Sequence, residues 1–109
     1  MSNNINWCQK LQKFWQQKEI DKIIELFSED VIYYEEPNNK ITYKELINVW
    51  SEIKNQNTNN LEFKILLEDN NKCIANFILK ENTTIDMIYE IELNDENKCI
   101  YFKQWYMEY

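Results

Sequence analysis

The run VIYYEEP, residues 31–37, places two adjacent carboxylates, Glu35 and Glu36, after two tyrosines and before the chain's one proline. A carboxyl group lodged among aromatic rings is held above its ordinary pKa, because burial disfavours the charged form. Such a group can take or lend a proton near neutral pH as a general base or acid. Alternate side chains of a strand share a face, so Glu35 falls with Val31 and Tyr33 while Glu36 falls opposite. Glu35 is therefore the candidate catalytic residue. The plainer reading leaves both carboxylates in water at a strand end, since glutamate is rarely buried without a partner.

Around this carboxylate the chain offers many rings. Tyr33, Tyr89, Tyr101 and Trp105 fall in alternating runs and would line a pocket, with hydroxyls and an indole N–H to orient a ligand. Trp15 and Trp50 would close its helical side. The same spacings also suit an ordinary core. Asp86 and Glu90 share one strand face and offer either a second acidic position or a solvated surface. Gln104 fits inside or outside.

The missing residue types narrow the chemistry. Histidine is absent, which removes Ser-His-Asp and Cys-His nucleophile pairs and the commonest transition-metal ligand. Arginine is absent, so the chain makes no bidentate guanidinium contact to phosphate, carboxylate or guanine. Glycine is absent, which excludes P-loops and Gly-rich dinucleotide fingerprints. Cys8, Cys73 and Cys99 lack metal-ligand spacing and read as small buried hydrophobes. The sequence thus proposes no cofactor and no metal. A net charge of −7 argues against nucleic acid and against anionic membranes. An odd cysteine count, no apolar span of about 18 residues and no secretory leader make a reducing cytoplasm the expected location.

The elements that must hold these residues follow from periodicity. Trp7, Leu11, Phe14 and Trp15 make one face of a helix near 5–17, and Ile20, Ile23, Ile24 and Phe27 make one face of a second near 19–27. Thr42 and Glu45 form a capping box opening a third helix near 42–55, with Leu46, Trp50 and Ile53 on its apolar stripe. Strands are predicted near 31–35, 61–68, 72–80, 84–93 and 98–107. Without glycine, turns needing positive φ fall to Asn and Asp, as at Asp69-Asn70-Asn71 and Asn94-Asp95-Glu96-Asn97. Helices first and strands later predict an α+β fold in one domain spanning 1–109, three N-terminal helices packed on a curved, mostly antiparallel sheet. Ile74, Ile78, Ile88, Ile100 and Phe102 are read onto the face opposite Phe77, Tyr89 and Tyr101. A sheet that is apolar on both faces predicts a homodimer packed through the outer one.

Helix, short helix, strand, helix and long meander resemble the NTF2-like superfamily, and more narrowly its SnoaL-like branch. The matching residues are Trp15 to Phe27, VIYYEEP, the helix around Leu46 and Trp50, and the closing FKQWY. The resemblance implies a cone with a pocket at its open end and, in many members, dimers through the sheet. Ketosteroid-isomerase-like members carry a carboxylate just before a proline on the first strand. Counting from the second helix puts that position at Glu35, and counting back from Pro37 puts it at Glu36. Those members also use a first-helix tyrosine, whose place here falls near Leu11, which cannot donate. Sets that need histidine, or arginine between two aspartates, are incomplete in this chain. The expected function is binding of a small apolar or aromatic molecule in the cone. The alternatives are an isomerase-, cyclase- or lyase-like enzyme using Glu35, and a protein-interaction module.

Overall fold

The computed structural model describes residues 2–109. Helix α1, Asn3–Gln16, starts at Ser2, whose hydroxyl accepts the Ile5 N–H at 3.1 Å, as an N-cap should. Its stripe of Trp7, Cys8, Leu11 and Trp15 is buried. Asn4, one turn before Cys8, donates to the Glu68 carboxylate and to the carbonyls of Asn70 and Lys72. These bonds tie the start of α1 to the β3–β4 hairpin described below.

Helix α2 spans only Ile20–Ile24, shorter than its periodicity predicts. Phe27 already belongs to β1, Phe27–Glu35, and pairs with Cys99. Ser28, Glu29 and Asp30 break the alternation because the register shifts between Phe27 and Ile32, so a polar bulge resembles a helix end in the sequence. A short strand β2, Asn39–Ile41, folds back on β1 and has no clear sequence signal. The third predicted helix is a 3-10 turn at Tyr43–Glu45, helix α3 at Leu46–Ser51 and a second 3-10 turn at Glu52–Asn55. Glu45 reaches back to the Thr42 N–H at 3.0 Å, as the capping box predicts. The helical layer is thus one long helix and two short ones.

Strands β3, Leu61–Asp69, β4, Lys72–Lys80, β5, Thr84–Leu93, and β6, Cys99–Glu108, form an antiparallel meander. The six strands make one curved mixed sheet in the order β2-β1-β6-β5-β4-β3, with β1 parallel to β6. Asn70 and Asn97 take positive φ in the turns, as expected, but so do Lys18 and Glu36.

Two bulges decide which side chains face the helices. On β3 the register shifts between Ile65 and Leu67, which turns Leu67 outward beside Ile74. On β6, Leu93 pairs with Cys99 and Glu92 with Tyr101, so Ile100 is an extra residue. One inserted residue sends every later side chain to the other face. Three sequence-based placements are corrected by it. Phe102 is not on the outer face but fully buried in the core, while Tyr101 and Trp105 turn outward instead of inward. Ile100 sits half-buried in the bulge itself.

The core is a chain of touching rings. Phe102 packs on Trp7, Phe27, Tyr33 and Tyr89, with centroids 4.5 to 6.1 Å apart. Phe77 bridges Tyr89 to Trp15, and Trp15 meets Trp50 edge-on at 5.0 Å. Burying each such ring contributes about 1.5–3 kcal/mol, so the rings anchor α1 and α3 to the sheet.

Candidate functional site

Where the ring chain reaches the open end of the cone, between α1, α3 and the sheet, it leaves a cavity of about 190 Å³. Trp15 closes it from α1, and Val49 and Trp50 from α3. Tyr33 and Glu35 enter from β1 because strand alternation puts them on the helix-facing side. Met87 and Tyr89 enter from β5, and Gln104 and Tyr106 from β6.

Glu35 is half-buried in this lining. Burial pushes its carboxyl above the usual range, and the nearby Glu36 and Glu52 carboxylates push it further in the same direction. All three line the cavity, and no lysine does among the described residues. Glu36 accepts the Tyr106 hydroxyl at 3.3 Å. It also stands at φ 66°, in the left-handed region that costs a residue with a side chain on the order of 1–3 kcal/mol. The hairpin that delivers Glu35 is therefore held by its surroundings against local preference.

The donors divide into engaged and free. The Trp15 indole N–H donates to Gln56 Oε1 at 3.0 Å. The Tyr89 hydroxyl accepts from Gln104 Nε2 and donates to Met87 Sδ, both at 3.2 Å. The Trp50 indole nitrogen is buried with no hydrogen-bond partner among the described residues. It weakly favours the Tyr33 phenolate, yet without hydrogen-bond geometry it counts as an unpaired donor. Burial, then Tyr89 and the Glu35 charge, hold the Tyr33 hydroxyl well above its ordinary pKa. Burial does the same for Tyr89. Both phenols stay protonated at neutral pH and act as neutral hydrogen-bonding groups.

Of the residues the sequence singles out, Glu35, Trp15, Tyr33, Trp50 and Tyr89 meet in this cavity. Tyr101 does not, lining instead a groove on the outer face with Leu67 and Ile74. Trp105 is on the outer face too, 38% exposed, with the Lys103 ammonium 5.1 Å from its ring centroid. Asp86 lies outside and accepts from Asn76 at 2.6 Å. Glu52, Gln56 and Tyr106 are lining residues that periodicity does not reveal. The capping box at Thr42 fixes where that helical segment begins, so the stretch carrying Glu52 and Gln56 was traceable in principle. The cysteines, far apart in sequence, converge in the core. The neighbouring Cys73 thiol and burial push Cys8 up, and burial pushes Cys99 up, so neither is poised as a nucleophile.

No protein-family model matches the sequence, and no curated protein matches it. Solved structures do match in shape. An NTF-2 like protein of unknown function from Burkholderia xenovorans superposes with a TM-score of 0.74 at 12% identity, over 95% of this chain and 82% of that one. A SnoaL-like protein of unknown function from Burkholderia thailandensis gives 0.69 at 11% identity, over 94% and 92%. An LEH-like epoxide hydrolase of M. tuberculosis gives 0.68 at 12% identity, over 96% and 83%. Identity this low carries the fold and leaves the chemistry to the site itself. With its helix pair, its mixed sheet and its cavity at the open end, the chain has the NTF2-like fold that SnoaL-like proteins share.

Proposed function

We propose that the cavity binds a small neutral molecule with an apolar or aromatic body and one hydrogen-bond acceptor. The observation that carries this reading is the Trp50 N–H, buried and unpaired in a wall of rings. A buried donor left unsatisfied costs about 1–3 kcal/mol, and a ligand acceptor restores it once a small turn of the Trp50 or Tyr33 ring opens the N–H to the cavity. Size points the same way. The volume of about 190 Å³ exceeds the roughly 150 Å³ apolar cavity that takes up benzene. It falls below the roughly 300–1,000 Å³ of pockets for drug-sized ligands. One ring or two fused rings fit. Glu35, Glu36 and Glu52 at the rim disfavour anions.

The test uses three probes of similar shape: 1-indanone, indene and indane-2-carboxylate. Trp15 and Trp50 report binding through their fluorescence. Indanone should bind about 2–10-fold more tightly than indene, the worth of one net hydrogen bond, and the carboxylate should not bind. If none of the three perturbs the fluorescence at millimolar concentration, the reading fails.

A second reading is supported by the raised pKa of Glu35 beside two neutral donors. Glu35 would take a proton next to a ligand carbonyl while Trp50 N–H or Tyr33 O–H steadies the oxygen that gains charge. Exchange of the α-protons of 1-indanone with deuterium, followed by NMR, tests it. Exchange no faster than in buffer would leave binding alone.

The outer face supports a further part of the proposal. Ile78, Ile88, Trp105 and Met107 lie in two adjacent cross-strand rows, with Met107 65% exposed. A homodimer would cover these rows. The single continuous core supports one domain. The described helices include none long and apolar enough to cross a membrane, and a cytoplasmic location is proposed on cysteine usage alone.

A further inference from the structure

The outer face of the sheet is two surfaces. Toward the open end of the cone its rows are Asn76–Ile88–Trp105 and Ile78–Asp86–Met107. Toward the β3–β4 turn they are Ile74–Glu90–Lys103 and Lys72–Glu92–Tyr101. In this second half, the bulges of β3 and β6 set Leu67 and Tyr101 on opposite walls of a groove of about 460 Å³. That volume lies in the ordinary range of small-molecule sites. Leu67 is 68% exposed, a large apolar side chain held in water beside Ile74.

The charge around the groove is one-sided. Asp69, Glu90 and Glu92 line it against Lys72, while Glu68, paired with the inward Cys73, sends its carboxylate to the helix side. Lys72 is matched with Glu92 at 3.8 Å. Glu68 accepts from Asn4. Asp69 and Glu90 have no ion pair among the described residues. Lys103 is directly opposite Glu90 on the next strand, yet its ammonium rests over the rings of Tyr34 and Trp105, at 5.7 and 5.1 Å. Glu90 is left facing the groove near Tyr101, whose hydroxyl is held above its usual pKa by burial and by that carboxylate.

We propose that this groove is a second binding site, for a small organic cation whose apolar body lies on Leu67, Ile74 and Tyr101 while its ammonium meets Glu90, which stands between Ile74 and the β6 strand. Charge complementarity selects this occupant. A second copy packed groove to groove would set Asp69, Glu90 and Glu92 near the same carboxylates of its mate, and like charges brought together are destabilising. The ring of Tyr101, half-buried at the groove wall, attracts a cation through its quadrupole. The site is separate from the cone cavity and does not depend on what that cavity holds.

The probe is phenethylammonium, with 2-phenylethanol as its neutral counterpart. NMR would follow the methyl groups of Leu67 and Ile74 and the ring of Tyr101, alongside Trp15 and Trp50 as reporters of the cone. Phenethylammonium should shift the groove signals and leave the cone signals in place. 2-Phenylethanol should bind at least about fivefold more weakly. Glu90→Gln, at an exposed position, should weaken phenethylammonium about fivefold without changing the fold, and Tyr101→Leu should weaken it about threefold. Raising the salt concentration should weaken it as well. Equal binding of the neutral probe would overturn the proposal, as would shifts confined to Trp15 and Trp50. Groove shifts that follow protein concentration and vanish in Leu67→Lys, with no response to the cation, would assign the groove to a second copy instead.

Discussion

On β6, Phe102 is sealed and touches four aromatic rings, whereas Trp105, three residues further on, is 38% exposed beneath a lysine ammonium. The same division runs across β4 and β5. Phe77, Met87 and Tyr89 face the helices and belong to the ring network or the cavity, while Ile78, Ile88 and Glu90 face away. The inner cavity has an unpaired donor in its wall, the Trp50 N–H, and a carboxyl whose pKa is raised. The outer groove has exposed carboxylates and, among the described residues, no unpaired buried donor. Burial makes most of this difference, and the neighbouring Glu36 and Glu52 carboxylates add to it. A glutamate half inside a wall of rings has its pKa raised, because desolvation disfavours its charged form.

The largest effect expected from this contrast is on stability. Phe102→Ala should cost about 3–5 kcal/mol, the range for removing a buried aromatic side chain. Trp105→Ala should cost under about 1 kcal/mol in the monomer, since its ring packs on the sheet surface and Lys103 and belongs to no buried ring cluster among the described residues. Urea unfolding measures both. Equal losses would mean that the bulge at Ile100 does not set the facing of β6.

Next in size is self-association through the apolar half of the outer face. Ile88→Lys places a charge at its centre and should weaken dimerisation by more than about tenfold, because an unpaired charge is costly to bury. Light scattering over a micromolar concentration series checks it. A wild-type mass that is already monomeric removes the dimer from the picture. The inner face responds to a smaller change. Trp50→Phe deletes the unpaired N–H and should erase the roughly 2–10-fold preference for indanone over indene. An undiminished preference would transfer the donor role to Tyr33.

The smallest expected effect is a pH dependence. The pKa of Glu35 is raised in the folded state by burial, Glu36 and Glu52. Folding therefore favours its protonated form. Its contribution to stability is full below the ordinary glutamate value of about 4.3 and is lost as pH rises through the higher folded value. Glu35→Gln should remove this part of the pH profile. It should leave the variant more stable than wild type at neutral pH, by less than about 1 kcal/mol because half of the group stays solvated. Chemical denaturation between pH 4 and 8 reads the slope. A wild-type profile parallel to that of the variant would place Glu35 in ordinary water.

Much of this architecture is legible in short-range pattern. The alternation of β4 and β5 predicts their bounds and faces, because each strand is regular and pairs residue for residue with its neighbour. The Thr42–Glu45 box predicts where the third helical segment opens, since both partners lie within one turn. In a chain without glycine, Asn70 and Asn97 are predictable left-handed turn residues. Glu35 could be assigned to the inner face because Val31, Tyr33 and Glu35 follow one unbroken alternation. Tyr101, Phe102 and Trp105 could not be assigned, because a single unpaired residue at Ile100 reverses them and only pairing with β5 creates it. The length of β1 depended in the same way on its contact with Cys99, and the meeting of three distant cysteines depended on the docking of α1. Sequence determined the local periods and therefore the elements. Tertiary structure decided register, and register decided which rings form the cavity and which lie outside it, because strand side chains repeat every two residues and one insertion exchanges the faces.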